Sequence, residues 1–282
     1  MKVVGANLTS GGYSLRLRLN NLDVNRLTNE FEVETLRNFR TRNGSIIETV
    51  ASHVVDVEAE LTHTLAKALM LNLCSKSSSG VYYPANSNTD LSTITIVYKD
   101  DKSNVSQLSG GYLNNVSFEF GVASIPRVKF SAVFPSDVAS GTFTSYSAED
   151  FVHPSKITTQ YYSGGAYTDF YASSFSISID NSVVCDRILD GTFRCFSEAL
   201  RINGSFDVVY PGTYSTTFEG FYKNGTVFGL RLQYVNGSTF FKFFMPSVVV
   251  TDFDKYRDYG VLTVRFRAVY TAPYNLIEFT TS

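Results

Sequence analysis

The chain of 282 residues contains no tryptophan, and only three cysteines, three histidines, three methionines and seven prolines. Each scarcity closes a class of function. His53, His63 and His153 show no metal-ligand spacing, and neither a Cys-x-x-Cys pair nor a His-Glu-x-x-His pattern occurs, so no metal is expected. No phosphate loop or dinucleotide fingerprint is present: Gly110-Gly111 and Gly164-Gly165 read as turn glycines. Asp100-Asp101 and Glu149-Asp150 fall in polar stretches, where solvated carboxylates are the default. No catalytic residue, cofactor or enzymatic activity is expected. There is no run of about 18 apolar residues that would span a bilayer, so no membrane partner is expected. The stretch Met1-Lys2-Val3-Val4-Gly5-Ala6-Asn7 lacks the apolar core of a secretory leader. Cys185 and Cys195 flank Asp190-Gly191, a hairpin-turn dipeptide, and can face each other across two strands as a disulfide. Free thiols, usual for a protein made in a reducing cytoplasm, are the alternative that the sequence favours.

The residues that are present point to strands. Aromatics reach 15 %, all Phe and Tyr, and with abundant Ser, Thr and Val this is strand-favouring composition. A 44 % hydrophobic share against 18 % charged supports a sizeable core rather than global disorder. The formal charge of −2 excludes a generally basic nucleic-acid binder. Segments such as Ser14-Leu15-Arg16-Leu17-Arg18-Leu19, Val116-Ser117-Phe118-Glu119-Phe120 and Leu262-Thr263-Val264-Arg265-Phe266-Arg267 alternate with period two. Alternation places apolar side chains on one sheet face and polar ones on the other. Asn43-Gly44, Asp190-Gly191, Asn203-Gly204, Asn224-Gly225 and Asn236-Gly237 read as turns between strands. A helix is predicted over residues 59–74, with Leu61, Leu65, Ala68, Leu69 and Leu73 on one face, and a weaker one over 212–222.

The chain also repeats itself. Val128-Lys129-Phe130-Ser131-Ala132-Val133-Phe134 matches Val264-Arg265-Phe266-Arg267-Ala268-Val269-Tyr270, and Ile94-Thr95-Ile96-Val97-Tyr98 matches Leu230-Arg231-Leu232-Gln233-Tyr234, both at an offset of 136. Leu15-Arg16-Leu17-Arg18-Leu19-Asn20-Asn21 matches Phe175-Ser176-Ile177-Ser178-Ile179-Asp180-Asn181 at an offset of 160, which leaves about 24 extra residues in the first half between these landmarks. The expected fold is mainly β: two tandem antiparallel sandwich- or barrel-like domains, each with a flanking helix. The first spans 1–140, with an arm at 31–50, a Ser/Gly/Thr-rich linker covers 141–165 within a polar stretch 136–165, and the second domain spans 166–282.

The segment Ala172-Ser173-Ser174-Phe175-Ser176-Ile177-Ser178-Ile179-Asp180-Asn181 resembles the strand ending in Asp-Asn of the major tail tube proteins of long-tailed bacteriophages. The hairpin expected over 183–196 and the strand opening at Asn203-Gly204 follow in the family's order. In the first half, residues 54–74 are similar to the family's strand and helix, and Gly110-Gly111-Tyr112-Leu113-Asn114-Asn115-Val116-Ser117-Phe118 to its Gly-to-strand segment. Residues 31–50 and 136–165 match nothing in it. The resemblance implies a structural virion protein, assembled in the host cytoplasm. It would polymerise with itself into stacked rings, trimeric and pseudo-hexameric or hexameric, around a channel for double-stranded DNA. Tape measure, tail tip and terminator proteins would be its other partners. Glu119, Asp180 and Asp207 are then candidates for an acidic channel wall, which phosphate would not stick to. Glu30, Glu32 and Glu34, followed by Arg37, Arg40 and Arg42, are candidates for an arm whose two charge blocks contact the next ring. A solvated hairpin with alternating charges is the plainer alternative. Other tail ring components share the implied fold. From a different class, a receptor- or carbohydrate-binding β-sandwich would use Tyr82-Tyr83 and Tyr161-Tyr162 as stacking platforms.

Overall fold

The computed structural model describes residues 3–32, 46–74, 76–84, 92–134, 138–147, 149–187, 193–197, 199–256, 260–271 and 275–282. The fold is mainly β, almost all of it in large antiparallel sheets, with two α-helices among the described residues. In the first half, β1 (Val3–Ser10), β2 (Tyr13–Leu17), β3 (Leu19–Glu32) and β4 (Ile46–Glu60) lead into α1 (His63–Leu73). The small hairpin β5 (Lys76–Ser78) and β6 (Val81–Tyr83) follows, then β7 (Ile94–Asp100), β8 (Val105–Gly121), β9 (Ser124–Phe134) and β10 (Ala139–Ser140). The second half runs β11 (Ile157–Ser163), β12 (Ala166–Phe170), β13 (Ser174–Asp180), a separate hairpin β14 (Val183–Arg187) and β15 (Phe193–Ser197), then β16 (Arg201–Val209) and α2 (Thr213–Asn224). It closes with β17 (Phe228–Asn236), β18 (Thr239–Tyr256), β19 (Val261–Ala268) and β20 (Glu278–Thr281).

The two halves have the same strand order. In the first, β2 pairs β1, β1 pairs β7, β7 pairs β8, β8 pairs β9, β9 pairs β4 and β4 pairs β3. In the second, the chain of pairings is β12, β11, β17, β18, β19, β16 and β13. A returning strand then docks on the start of each long strand, β10 on β8 and β20 on β18. The repeat at offset 136 therefore superposes β7 on β17 and β9 on β19. The match at offset 160 slides by one strand: β13 corresponds to β3, with Leu19 opposite Ala59 as Phe175 is opposite Phe206. Two consecutive alternating strands, β2 and β3, offer the same apolar rhythm, which is why sequence spacing selected the wrong one.

Each long strand serves two layers. The first part of β8 pairs β7; beyond Gly110 and Gly111 it pairs β9. These glycines, expected as a turn, instead make a bend inside a strand. Gly110 has φ +73°, and a Cβ on Gly111 would lie 2.4 Å from the Phe134 ring. In β18 the same transfer from β17 to β19 falls near Pro246 and Ser247. Asn203-Gly204, also expected as a turn, lies inside β16, where Ser176 O and the Phe266 ring occupy the space a Cβ would need. Asn224-Gly225 ends α2, with Gly225 in the left-handed region that caps helices. Asn236-Gly237 is the β17–β18 hairpin turn, as expected.

Helix α1 begins later than the apolar spacing predicted, because residues up to Glu60 continue β4. Thr62 caps it, its hydroxyl accepting from Leu65 N at 3.2 Å, and the Glu149 carboxylate accepts from Thr64 N. The expected linker 141–165 is divided: residues 157–163 are β11, the first strand of the second half. What precedes β11 is strapped to the first half. Val152 is fully buried and donates from its N–H to Leu61 O, and Asn7 Nδ2 donates to Thr144 O. The Ser, Gly and Thr of the whole stretch 136–165 made β11 read as linker, although Thr159 and Tyr161 pack inward.

One contiguous core runs through both halves. Phe118 of β8 lies 4.9 Å, ring to ring, from Phe243 of β18, and α1 reaches β18, with His63 Nε2 3.1 Å from Phe240 O. Among the described residues no helix is long and apolar enough to cross a membrane. Phe118→Ala is expected to cost about 3–5 kcal/mol, to lower the denaturant midpoint of both halves together and to keep a single transition. Two separated transitions in the wild-type chain would show that the shared core does not couple the halves.

Candidate functional site

The feature that unites the sequence candidates is a joint between the halves. Residues 115–121 of β8 pair with β9 on one side and with β13 on the other, from Asn115 opposite Asp180 to Gly121 opposite Ser174. The result is a continuous strip of eight strands: β3, β4, β9, β8, β13, β16, β19 and the second part of β18. One face of the strip is core. Val116, Phe118, Ile177, Ile179, Phe206, Val264 and Phe266 are all buried there. The period of two sends the intervening residues to the opposite face.

Glu119, Asp180 and Asp207 all lie on that polar face, as the register Glu119 opposite Ser176 and Asp207 opposite Ser174 requires. Their environments differ. Glu119 accepts from Lys129 Nζ at 2.8 Å and holds the amine above its usual range, chiefly through that hydrogen bond. Asp207 accepts from the hydroxyls of Ser174 and Thr263, each at 2.6 Å, and so stitches β13, β16 and β19 together. Asp180 accepts from Ser182 N and Ser182 Oγ and shapes the turn that leaves β13.

Sequence reasoning missed the rest of this face. It also carries Asp23, Asp56, Glu58, Glu60, Asp252 and Asp254, against Arg18, Arg127, Lys129, Arg201, Arg265 and Arg267. Among the described residues this makes nine acids and six bases. Four of the bases are already engaged: Arg18 by Glu60, Arg127 by Glu58, Lys129 by Glu119, and Arg265 by Asp252 and Asp254. The surface offers an excess of carboxylate, with most of its cations neutralised from within. The signal was the polar phase of each alternating strand, but sequence alone did not show that these strands are neighbours.

No protein-family model matches the chain, and none of the curated proteins does. Among the described residues no group of three or more His, Cys, Asp or Glu could hold a metal ion.

Of the arm, Glu30 and Glu32 sit on β3, where β3 and β4 stay paired beyond the end of β9 as far as Glu32 and Ile46. Glu34, Arg37, Arg40 and Arg42 lie outside the described residues. The tyrosine platforms fare differently. Tyr161 faces inward against Phe218 and Phe221, at 5.7 and 5.8 Å. Tyr162 contacts Tyr167 at 4.8 Å, and the Arg231 guanidinium covers one face of Tyr167 at 3.5 Å, while both tyrosines stay partly exposed. Tyr82 and Tyr83 belong to β6, and Tyr82 is paired to Phe279 of β20.

Cys185 and Cys195 oppose each other in the β14–β15 hairpin and form a disulfide, which corrects the expectation of free thiols there. Directly opposed positions in an antiparallel pair bring the two Cβ atoms within bonding reach. Cys74 remains a thiol, and complete burial pushes its pKa far up. A thiol reagent is accordingly expected to find no fast-reacting cysteine in the native, unreduced protein, and one after unfolding; three after unfolding would show that the disulfide does not form. On the polar face, Asp207→Ala is expected to cost about 1–3 kcal/mol because two hydroxyls lose their acceptor. Glu119→Gln, in an exposed ion pair, is expected to cost below about 1 kcal/mol. Urea titrations of the two variants side by side read the difference.

Proposed function

We propose that the chain is a structural subunit of a viral tail tube, which polymerises into stacked rings around a channel that conducts DNA at infection. The observation that carries this reading is the edge-to-edge joint of two like units, with one acid-rich polar face running unbroken across both. A sheet edge is a template for pairing. A chain that joins its own two units by such an edge already holds a repeatable contact, and repeated head-to-tail contacts give rings or filaments.

The polar face suits a channel wall for DNA. Phosphate binding is driven by unpaired Lys and Arg that displace counterions. Here four of six bases are held by neighbouring carboxylates, and the surplus charge repels phosphate. Asp56, Asp180 and Asp207 would face the passing duplex, which slides without a site to hold it. Tail tip, terminator and tape measure proteins remain the expected further partners, in a virion tail assembled in the host cytoplasm. The likeness in strand order and punctuation between this sequence and tail tube proteins supports the reading. The inward packing of Tyr161 removes one of the paired stacking platforms and weighs against a carbohydrate-binding module.

Electron microscopy of the purified, concentrated protein at rising ionic strength tests the proposal. Hollow filaments of uniform width with a regular axial repeat are expected. Single closed rings under every condition, even with a tail-tip initiator present, would instead assign the protein to a terminator or distal ring, and monomers throughout would remove the assembly reading.

A further inference from the structure

The internal joint prescribes an external one. It uses the second part of β8 and the free side of β13. The duplicated topology gives each of these a counterpart at an end of the strip. The counterpart of β8 there is the second part of β18: Val250 and Asp254 oppose Phe266 and Thr263 as Val116 and Glu119 oppose Phe130 and Arg127. The counterpart of β13 is β3: Leu22 and Val24 oppose Val57 and Val55 as Ile177 and Ile179 oppose Gly204 and Ile202. Within the strip β18 pairs β19 and β3 pairs β4, so these two strands are its two borders.

We infer that the β3 border of one copy pairs antiparallel with the β18 border of a second copy, in the register of the β8–β13 joint. Translating that register sets Asn21 opposite Asp254, Leu22 opposite Phe253 and Val24 opposite Val250 of the second copy. The apolar rows then continue from core to core, and half-buried Val24 gains a covering strand. This deepens the tube reading by naming the contact between subunits, and it rests on that reading only in requiring self-association.

A second observation agrees. At the internal joint a half-open groove of about 340 Å³ lies between the end of β8 and a floor that includes Tyr171, Ala172 and Phe175. The equivalent floor in the first half is Arg16, Leu17 and Leu19, since Leu15 opposes Leu8 as Phe170 opposes Thr159. Those three residues line an open groove of about 400 Å³ beside β3. The internal joint roofs its groove with Phe120, Gly121 and Val122. The β3 groove has the same floor without that roof, and the end of β18 of a second copy is the segment of matching topology. One pair works against the contact: Asp23 falls opposite Asp252, whose charge Arg265 offsets at 2.8 Å. The remaining repulsion is screened by salt, so association strengthens as ionic strength rises.

The test is a double-cysteine variant of the full chain, N21C/D254C, oxidised after assembly and run on a non-reducing gel. The internal disulfide and buried Cys74 keep the background low. Loss of most of the monomer band into a ladder of covalent multimers is expected. N21C/D252C, two residues off register, and each single variant should leave the monomer band. Hydrogen exchange on the wild-type protein gives the same information without a substitution: amides of 21–25 and 250–254 should slow together on assembly. Filaments or rings that form without cross-links and without protection of these edges would overturn the inference and leave the tube reading intact. Cross-linked closed rings that never stack would support the inference and overturn the tube. A chain that stays monomeric in every condition would overturn both.

Discussion

The pairing of residues 115–121 of β8 with β13 is the constraint on which the rest depends. Without it the two halves would meet chiefly through α1 against β18 and the short β6–β20 pairing. With it, two sheets become one strip, two cores become one cluster, and the polar phases of eight strands fall on a single surface. The joint is made of ordinary parts. Ile177 and Ile179 meet Phe118 and Val116 on the core side, and Ser176 and Ser178 meet Glu119 and Ser117 on the other. Backbone hydrogen bonds supply the direction, and apolar burial supplies most of the energy.

The long strands make the joint available. A strand confined to one layer would have both edges occupied by its own half. β8 escapes this by bending at Gly110 and Gly111, so that its first part completes one layer while its second part projects an edge from the other. The close approach of Phe134 to Gly111 holds the bend, because any side chain at that position would meet the ring. Local chemistry at one glycine thus sets which edges a neighbour meets.

Much of this was legible in the sequence. Period-two alternation found the strands, offset-136 repeats such as Val128–Phe134 against Val264–Tyr270 found the duplication, and the Leu/Ala stripe found α1. Three readings failed for a common reason. Asn203-Gly204 and Gly110-Gly111 carry turn chemistry but answer a tertiary demand, room for Phe266 and Phe134. β11 is poor in branched aliphatics because its inward positions are shared by Thr159 and Tyr161 with neighbouring aromatics. The polar face was visible only strand by strand, since the order of strands in a sheet is set by long-range pairing and leaves no local trace. Glu119, Asp180 and Asp207, named from the sequence, lie on this face; their companions across the strip were not named.

The duplication has already been put to use as licence to diverge. Val57 in β4 and Gly204 in β16 hold the same topological position, and the second half has traded a side chain there for a closer ring. β3 and β4 stay paired as far as Glu32 and Ile46, whereas β13 is followed by the hairpin β14–β15, locked by a disulfide. Had one gene product supplied a single unit, every such change would be stamped identically around any assembly. In an assembly of such chains, two units in one polypeptide would let alternate positions carry different instructions, so that a change harmful in one context could be kept in the other.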